Sequence, residues 1–232
     1  MQTGLRIIET YSCSKRCKFC YQKVHDSIIL TPDRLRRAIK KLGNWNPSYV
    51  TIMGGEVSEY PRETEELLKV IQESYAFVAG KSLTTNGNGD EAWYKSLWQY
   101  GINNITFSGI ENIDKAVRIG QSPNTTVRLN CFLDANTVGA VITKASKENI
   151  PLALCSDLRG NQQDKELIDT IKLVCNPTSI KIHDSYIIFY LEKYTFWLFK
   201  HNKEYTCDNN IILPNGILTT NYLDFINCEG AN

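Results

Sequence analysis

The apolar positions of this chain fall into two alternating patterns over its first three quarters. Segments that read as strands occur near residues 5–10, 48–53, 81–85, 103–108, 126–133 and 151–156. Segments with a helical pattern follow them, near residues 31–43, 61–75, 90–100, 111–118, 136–148 and 162–174. Strands and helices that alternate in this way predict a parallel sheet with right-handed crossovers.

Beyond Asn176-Pro177 the pattern changes to short alternating or apolar runs. These runs lie at residues 179–183, 186–191, 194–199, 211–214 and 217–220. The last two flank Asn215-Gly216, a dipeptide typical of hairpin turns. We therefore expect a small antiparallel β appendage, with domains at residues 1–178 and 179–232.

Composition and charge fit a compact domain. With 232 residues, 42% of them hydrophobic, the chain can bury a sizeable core. Its 26 basic and 25 acidic residues give no electrostatic indication of nucleic acid or membrane binding. Because no signal-like segment begins the chain and no apolar run approaches ~18 residues, we expect a cytoplasmic protein with reduced cysteines.

Three cysteines stand close together directly after the first apolar run. They are Cys13, Cys17 and Cys20. Cysteine thiolates hold iron–sulfur clusters, and a [4Fe–4S] cluster normally takes four of them. Three clustered cysteines with no fourth nearby would leave one iron open to a molecule that is not protein, so the motif indicates a reaction site.

A zinc site and a set of ordinary buried thiols are the alternatives for these cysteines. With His25 they would complete a Cys₃His set of zinc ligands, and free cysteine is also among the most frequently buried residues. Lys15, Arg16 and Lys18 lie between the thiols. Cations here oppose burial of the segment and favour the thiolate, which is the form that binds metal.

With Phe19 in the aromatic position, the motif Cys-x-x-x-Cys-x-aromatic-Cys resembles that of the radical S-adenosylmethionine enzymes. The resemblance covers about residues 5–160 and implies a partial (βα)6 parallel barrel. It also implies two cofactors, a [4Fe–4S] cluster on Cys13, Cys17 and Cys20, and S-adenosylmethionine at the open iron. An electron from the cluster would cleave S-adenosylmethionine to a 5′-deoxyadenosyl radical, which abstracts a hydrogen atom from the substrate.

The segment Gly54-Gly55-Glu56 follows the second apolar run. Glycines allow another group to approach the backbone closely. By resemblance to the same family, this segment would bind the amino group of S-adenosylmethionine, with Glu56 accepting a charge-assisted hydrogen bond from the ammonium.

Small or polar residues also end the next three strands, where parallel barrels build their sites. The resemblance implies that Ser108 and Asn130 reach the ribose or carboxylate of S-adenosylmethionine. It places Thr85 and Asn86 on the adjacent wall. A role confined to a turn fits each of these four residues about as well.

Four further cysteines lack the Cys-x-x-Cys spacing of additional clusters, so we expect one cluster in total. They are Cys155, Cys175, Cys207 and Cys228. His183 and His201 are candidates for acid–base chemistry, and Arg159 for binding a carboxylate or phosphate. A structural role fits these three residues at least as well.

No residue of the sequence identifies the substrate. We rank small-molecule or nucleoside chemistry first, because the cysteine-rich extension of peptide-modifying relatives is absent. A 7-carboxy-7-deazaguanine synthase-like enzyme, a peptide-modifying enzyme and a glycyl-radical activase are the alternatives. A zinc- or cluster-binding regulatory module is the alternative that is not an enzyme. The radical reaction would also need an electron donor such as flavodoxin or ferredoxin.

Overall fold

The computed structural model describes residues 3–17, 20, 26–132, 137–155, 164–183, 186–199 and 206–221. Its first six strands are each followed by a helix, as the apolar pattern predicts. These strands are β1 Gly4–Ile8, β2 Tyr49–Met53, β3 Gly80–Thr85, β4 Asn104–Ser108, β5 Thr126–Phe132 and β6 Leu152–Cys155. The helices are α1 Pro32–Lys41, α2 Pro61–Ser74, α3 Glu91–Ser96, α4 Ile113–Gly120, α5 Val138–Lys147 and α6 Asp164–Cys175.

Five more strands complete one sheet. They are β7 Ser179–Ile182, β8 Tyr186–Tyr190, β9 Thr195–Phe199, β10 Thr206–Ile212 and β11 Leu218–Asn221. The strand order is β11-β10-β1-β2-β3-β4-β5-β6-β9-β8-β7, and β1 to β6 are all parallel to their neighbours. The parallel α/β prediction is confirmed, and the barrel formed by the described strands is not closed.

The C-terminal strands extend this sheet at both sides. Strands β7, β8 and β9 pair antiparallel with one another, and β9 joins β6 in parallel, with Trp197 opposite Ala153. Strand β10 instead pairs in parallel with β1, with Ile211 opposite Arg6. The predicted antiparallel group is confirmed. The division into residues 1–178 and 179–232 stays a prediction.

The predicted hairpin turn joins β10 to β11. Gly216 adopts φ +83°, which a residue with a side chain rarely adopts. Its N–H donates to the Leu213 carbonyl at 2.8 Å, and the Leu213 N–H donates to the Ile217 carbonyl at 2.9 Å. The two bonds close a tight turn, so the Asn-Gly signal located this hairpin correctly.

Side chains of successive residues along each strand point to opposite faces of the sheet. Residues such as Leu5, Ile52 and Leu83 are buried in a core shared with the helices. We call the opposite side the inner face; Thr51 and Ser82 lie on it and hydrogen-bond through their hydroxyls at 2.8 Å. In the described part of the chain, no helix combines the length and apolar character needed to cross a membrane.

Candidate functional site

The cysteine loop follows β1 and carries three free thiols. Cys13, Cys17 and Cys20 are each partly exposed. The Cys20 N–H donates to the Cys17 carbonyl at 3.0 Å, which places the last two cysteines on one turn of backbone. Phe19 and His25 lie outside the described residues.

The glycines after β2 pack directly against this loop. The Gly55 N–H donates to the Thr10 carbonyl at 2.6 Å, and the Glu56 N–H donates to the Ser12 carbonyl at 2.8 Å. A Cβ atom at Gly54 would lie 2.7 Å from the Thr10 carbonyl oxygen, and one at Gly55 would overlap the Ser12 carbonyl. Both positions therefore require glycine to hold the cysteine loop against the end of β2.

The Glu56 carboxylate is buried and joins the ends of β2 and β3. It accepts hydrogen bonds from the Ser58 N–H at 2.9 Å, the Thr85 hydroxyl at 2.5 Å and the Asn86 N–H at 2.5 Å. An ionised carboxylate has about four lone-pair sites, so these three donors leave one site for a further donor. The direct contact of Glu56 with S-adenosylmethionine stays a prediction.

The Thr85 hydroxyl is buried and forms its hydrogen bonds with other groups of the protein. Besides donating to Glu56, its oxygen accepts from the Gly87 N–H at 3.1 Å and lies 2.8 Å from the Tyr94 hydroxyl. With these partners Thr85 has no hydrogen left to donate. Its position fits a residue that orients Glu56 better than one that contacts a ligand.

Asn86, directly after β3, connects the segment that follows β4 to the cysteine loop. Its side-chain Nδ2 lies 3.7 Å from the Cys13 sulfur. Its carbonyl accepts from Lys15 Nζ at 3.1 Å and from Asn112 Nδ2 at 3.0 Å. The structure thus brings Asn86 to the cysteines, and its place beside S-adenosylmethionine stays a prediction.

Ser108 is the last residue of β4, and Asn130 lies beside it on β5, two residues before that strand ends. They are paired in register, and the Gly109 N–H donates to the Asn130 carbonyl at 2.8 Å. The Asn130 side-chain oxygen is buried and has no hydrogen-bond partner among the described residues. Asn112 Nδ2 donates to the Ser108 carbonyl at 2.7 Å and so links this pair to Asn86.

Two further residues hold the cysteine loop, and the sequence pattern did not indicate either. The Glu59 carboxylate accepts from the Ser14 N–H at 3.0 Å and from the Ser14 hydroxyl. The Tyr60 hydroxyl donates to the Ser12 hydroxyl at 2.8 Å. Both follow the Gly-Gly-Glu segment closely, but their contacts depend on how the loops fold together.

Two thiols of the loop, those of Cys13 and Cys17, have a raised pKa. Burial raises the pKa of Cys13, and the nearby Glu59 carboxylate raises it further. Burial and Cys20 raise the pKa of Cys17, whereas Lys15 lowers it. Lys15 thus acts on Cys17 as expected from its charge, but burial outweighs this effect. Cluster binding must therefore release protons from the loop.

The donor set fits an iron–sulfur cluster. Three thiols share one loop, and a side-chain amide is directed at one of the sulfurs. No three His, Cys, Asp or Glu residues in the described ranges are arranged to hold a single metal ion. That finding concerns single-ion sites, because the cysteines of a cluster bind different irons.

The other candidate residues fall outside this group of contacts. His183, at the end of β7, stacks on Tyr186 with ring centroids 4.4 Å apart. His201, Arg159 and Cys228 lie outside the described residues, as does the Cys207 side chain. Burial raises the pKa of Cys155 to about 12, so this thiol stays protonated at neutral pH.

A family model described as the Radical SAM superfamily matches residues 7–174 of the chain. The probable GTP 3′,8-cyclase of Thermococcus kodakarensis is 28% identical over 109 residues, which cover 46% of this chain and 34% of that protein. The GTP 3′,8-cyclase of Clostridium perfringens is 24% identical over 193 residues, which cover 76% of this chain and 53% of that protein. This chain thus spans about half or less of these curated relatives.

Among solved structures, Streptococcus suis SuiB bound to its precursor peptide SuiA superimposes with a TM-score of 0.60 at 15% identity. The match covers 74% of this chain and 45% of SuiB. At this identity the likeness is one of fold.

Proposed function

The chain belongs to the radical SAM superfamily, whose cofactors are a [4Fe–4S] cluster and S-adenosylmethionine, and we propose that it cleaves S-adenosylmethionine reductively. When bound, these cofactors supply a 5′-deoxyadenosyl radical that abstracts a hydrogen atom from the substrate. Cys13, Cys17 and Cys20 are the proposed ligands of the cluster. Three ligands leave one iron open for S-adenosylmethionine.

The residues around the cysteine loop would hold S-adenosylmethionine. Gly54, Gly55 and Glu56 are proposed to bind its amino group, with the ammonium as the fourth donor to the Glu56 carboxylate. Ser108 and Asn130 are proposed to bind its carboxylate or ribose, because they lie opposite each other on β4 and β5. The Asn130 side-chain oxygen has no partner among the described residues and can only accept a hydrogen bond, so it suits a ribose hydroxyl. Phe19 and Asn86 would line the rest of the S-adenosylmethionine site, and Thr85 would hold the Glu56 carboxylate in place.

The observation that carries this proposal is the convergence of the ends of β2 and β3 on the cysteine loop. Gly55 and Glu56 bond to the loop backbone, Glu56 bonds to Asn86, and Asn86 reaches the Cys13 sulfur. Parallel barrels build their active sites at this edge of the sheet. A structural zinc site would not need the strand ends to meet in this way.

For the substrate we propose a nucleoside, nucleotide or other small molecule. Two curated relatives are named as GTP 3′,8-cyclases, which supports this class over a peptide or a partner enzyme. A reductant is needed for the cleavage, and flavodoxin or ferredoxin is the proposed donor.

The test is an anaerobic assay of cluster-reconstituted protein with dithionite or flavodoxin. We expect methionine and 5′-deoxyadenosine, at a slow rate without substrate. A matched triple variant with alanine at Cys13, Cys17 and Cys20 should form neither product. If reduced, cluster-loaded wild-type protein forms no 5′-deoxyadenosine with nucleotides or other small molecules, the proposal is wrong.

A further inference from the structure

Arg128 is a cation on the inner face of β5 that no carboxylate neutralises within the described residues. One guanidinium nitrogen, Nη2, donates to the Thr106 hydroxyl at 3.2 Å. The Nε atom is buried and has no hydrogen-bond acceptor among the described residues. None of the ion pairs between described residues includes Arg128.

The electrostatic surroundings of Arg128 make this position unfavourable for a lone cation. Burial lowers the pKa of its guanidinium, and the positive charge of Arg6 lowers it further. Cys155 is near enough to raise the pKa of Arg128, but its own pKa of about 12 keeps it uncharged at neutral pH. Arg128 is partly buried, and a charge there without a counter-charge is costly, so a bound anion would stabilise the folded state.

The place of Arg128 in the sheet relates it to the proposed S-adenosylmethionine site. Residues two apart on a strand share a face, so Arg128 lies directly before Asn130 on the inner face. Asn130 is in register with Ser108, and Arg128 is in register with Thr106. On the inner face, Arg128 and Thr106 thus lie next to Asn130 and Ser108, the pair proposed to bind S-adenosylmethionine, on the side away from the carboxyl ends of the strands.

We infer that Arg128 binds an anionic group of the substrate, either a carboxylate or a phosphate, on the inner face of the sheet. The planar guanidinium, with Nε and Nη2 side by side, can hold two oxygens of such a group. The role of this anion as part of a substrate rests on the proposed function, whereas the anion site itself does not. An anchor at this depth would place the rest of the substrate towards the strand ends, where the radical forms.

The test measures the thermal stability of cluster-reconstituted protein with added sodium phosphate or sodium acetate, against sodium chloride at equal ionic strength. A ligand that binds only the folded state raises Tm, by roughly 5–10 °C at about a hundred times its Kd for a chain of this size. We expect such a rise for at least one of the two anions. Phosphate alone would indicate a phosphorylated substrate, and acetate alone would indicate a carboxylate.

Three variants give the test its specificity. Arg128→Gln should lose the anion-dependent rise, and Arg128→Lys should keep only part of it, because lysine retains the charge without the fork of donors. Arg37→Gln removes the same charge from an exposed position on α1 and should behave as wild type. A full rise in Arg128→Gln, or an equal loss in Arg37→Gln, overturns the inference.

If Arg128→Gln does not fold, the anion site is tested instead by measuring the dissociation constant of phosphate or acetate with the Arg128→Lys variant. An increase of about tenfold over wild type is expected, and an unchanged constant refutes the site. The assay for 5′-deoxyadenosine separates the two proposals. Wild-type protein that cleaves S-adenosylmethionine but shows no anion-dependent rise refutes only the anion site, and the reverse result refutes only the proposed function.

Discussion

The Asn86 side-chain amide lies 3.7 Å from the Cys13 sulfur and so links the end of β3 to the cysteine loop. An N–H group directed at a cluster sulfur stabilises the more negative, reduced state. We therefore expect Asn86 to influence the reduction potential of a cluster bound at Cys13.

Replacing Asn86 by leucine should make the reduction potential more negative. A hydrogen bond is worth about 0.5–1.5 kcal/mol, which corresponds to roughly 20–65 mV for one electron. A redox titration followed by electron paramagnetic resonance measures this shift. Asn88→Ala is the control, because Asn88 is exposed and only its backbone N–H contacts Asn86. Equal potentials in Asn86→Leu and wild type would contradict the N–H···S contact.

Glu56 and Thr85 allow a direct role to be separated from a positioning role. Glu56→Gln and Thr85→Val should each lower the free energy of unfolding by about 1–3 kcal/mol, because both leave buried groups without partners. Only Glu56→Gln also removes the charge that faces the proposed ammonium. Its dissociation constant for S-adenosylmethionine should rise about tenfold or more.

Chemical denaturation and calorimetric titration of the two variants measure these effects. If Thr85→Val weakens S-adenosylmethionine binding as much as Glu56→Gln does, the carboxylate acts through its position and does not contact the cosubstrate.

The apolar pattern was sufficient for strands β1 to β6 because each has buried apolar residues on one face and is followed by a helix. It could not assign the partners of β9 and β10. Their side chains show only that they are strands, while the pairing of Trp197 with Ala153 and of Ile211 with Arg6 depends on the path of the chain between them. Long-range pairing leaves no periodic signal in a single sequence.

As with the fold, the sequence indicated the local motifs of the candidate site but not the contacts between distant segments. Short-range motifs predicted the cysteines and Gly54-Gly55-Glu56 as site residues, because the spacing within each motif spans only a few residues. The bond between Glu56 and Thr85 depends on the relative positions of two strand ends, so it required the structure. Alternation predicts that Arg128 faces away from Val127 and Leu129, but only the structure shows that Nε has no acceptor among the described residues.

Glu9 should make the stability of the protein depend on pH. Burial raises the pKa of its carboxyl well above the usual 4.5. The Thr64 hydroxyl lies 2.9 Å from both Glu9 oxygens and from the Val57 and Tyr60 carbonyls. One hydroxyl hydrogen cannot donate to four acceptors. More of these oxygens form hydrogen bonds when Glu9 is protonated and donates to the Thr64 hydroxyl.

Because the folded state raises the pKa, the stabilising contribution of Glu9 is complete below its unfolded pKa and is lost as pH rises through its folded pKa. Wild type should therefore lose stability relative to Glu9→Gln between pH 5 and the raised pKa, by up to about 1.4 kcal/mol per pH unit. Urea denaturation at several pH values measures the difference. Glu66→Gln, at an exposed position on α2, should follow wild type. Parallel curves for wild type and Glu9→Gln would show that Glu9 is ionised in the folded protein.

Cluster assembly should become more favourable as pH rises. The raised pKa values of Cys13 and Cys17 mean that the empty loop holds protons which the cluster must displace. Iron and sulfide retained against a chelator should therefore increase from pH 6.5 to 8.5 in wild type. Cys13→Ala should retain little of either at any pH, whereas Cys175→Ala, at the end of α6, should match wild type. Retention that falls as pH rises, or full retention in Cys13→Ala, would show that the thiolates of this loop do not hold the cluster.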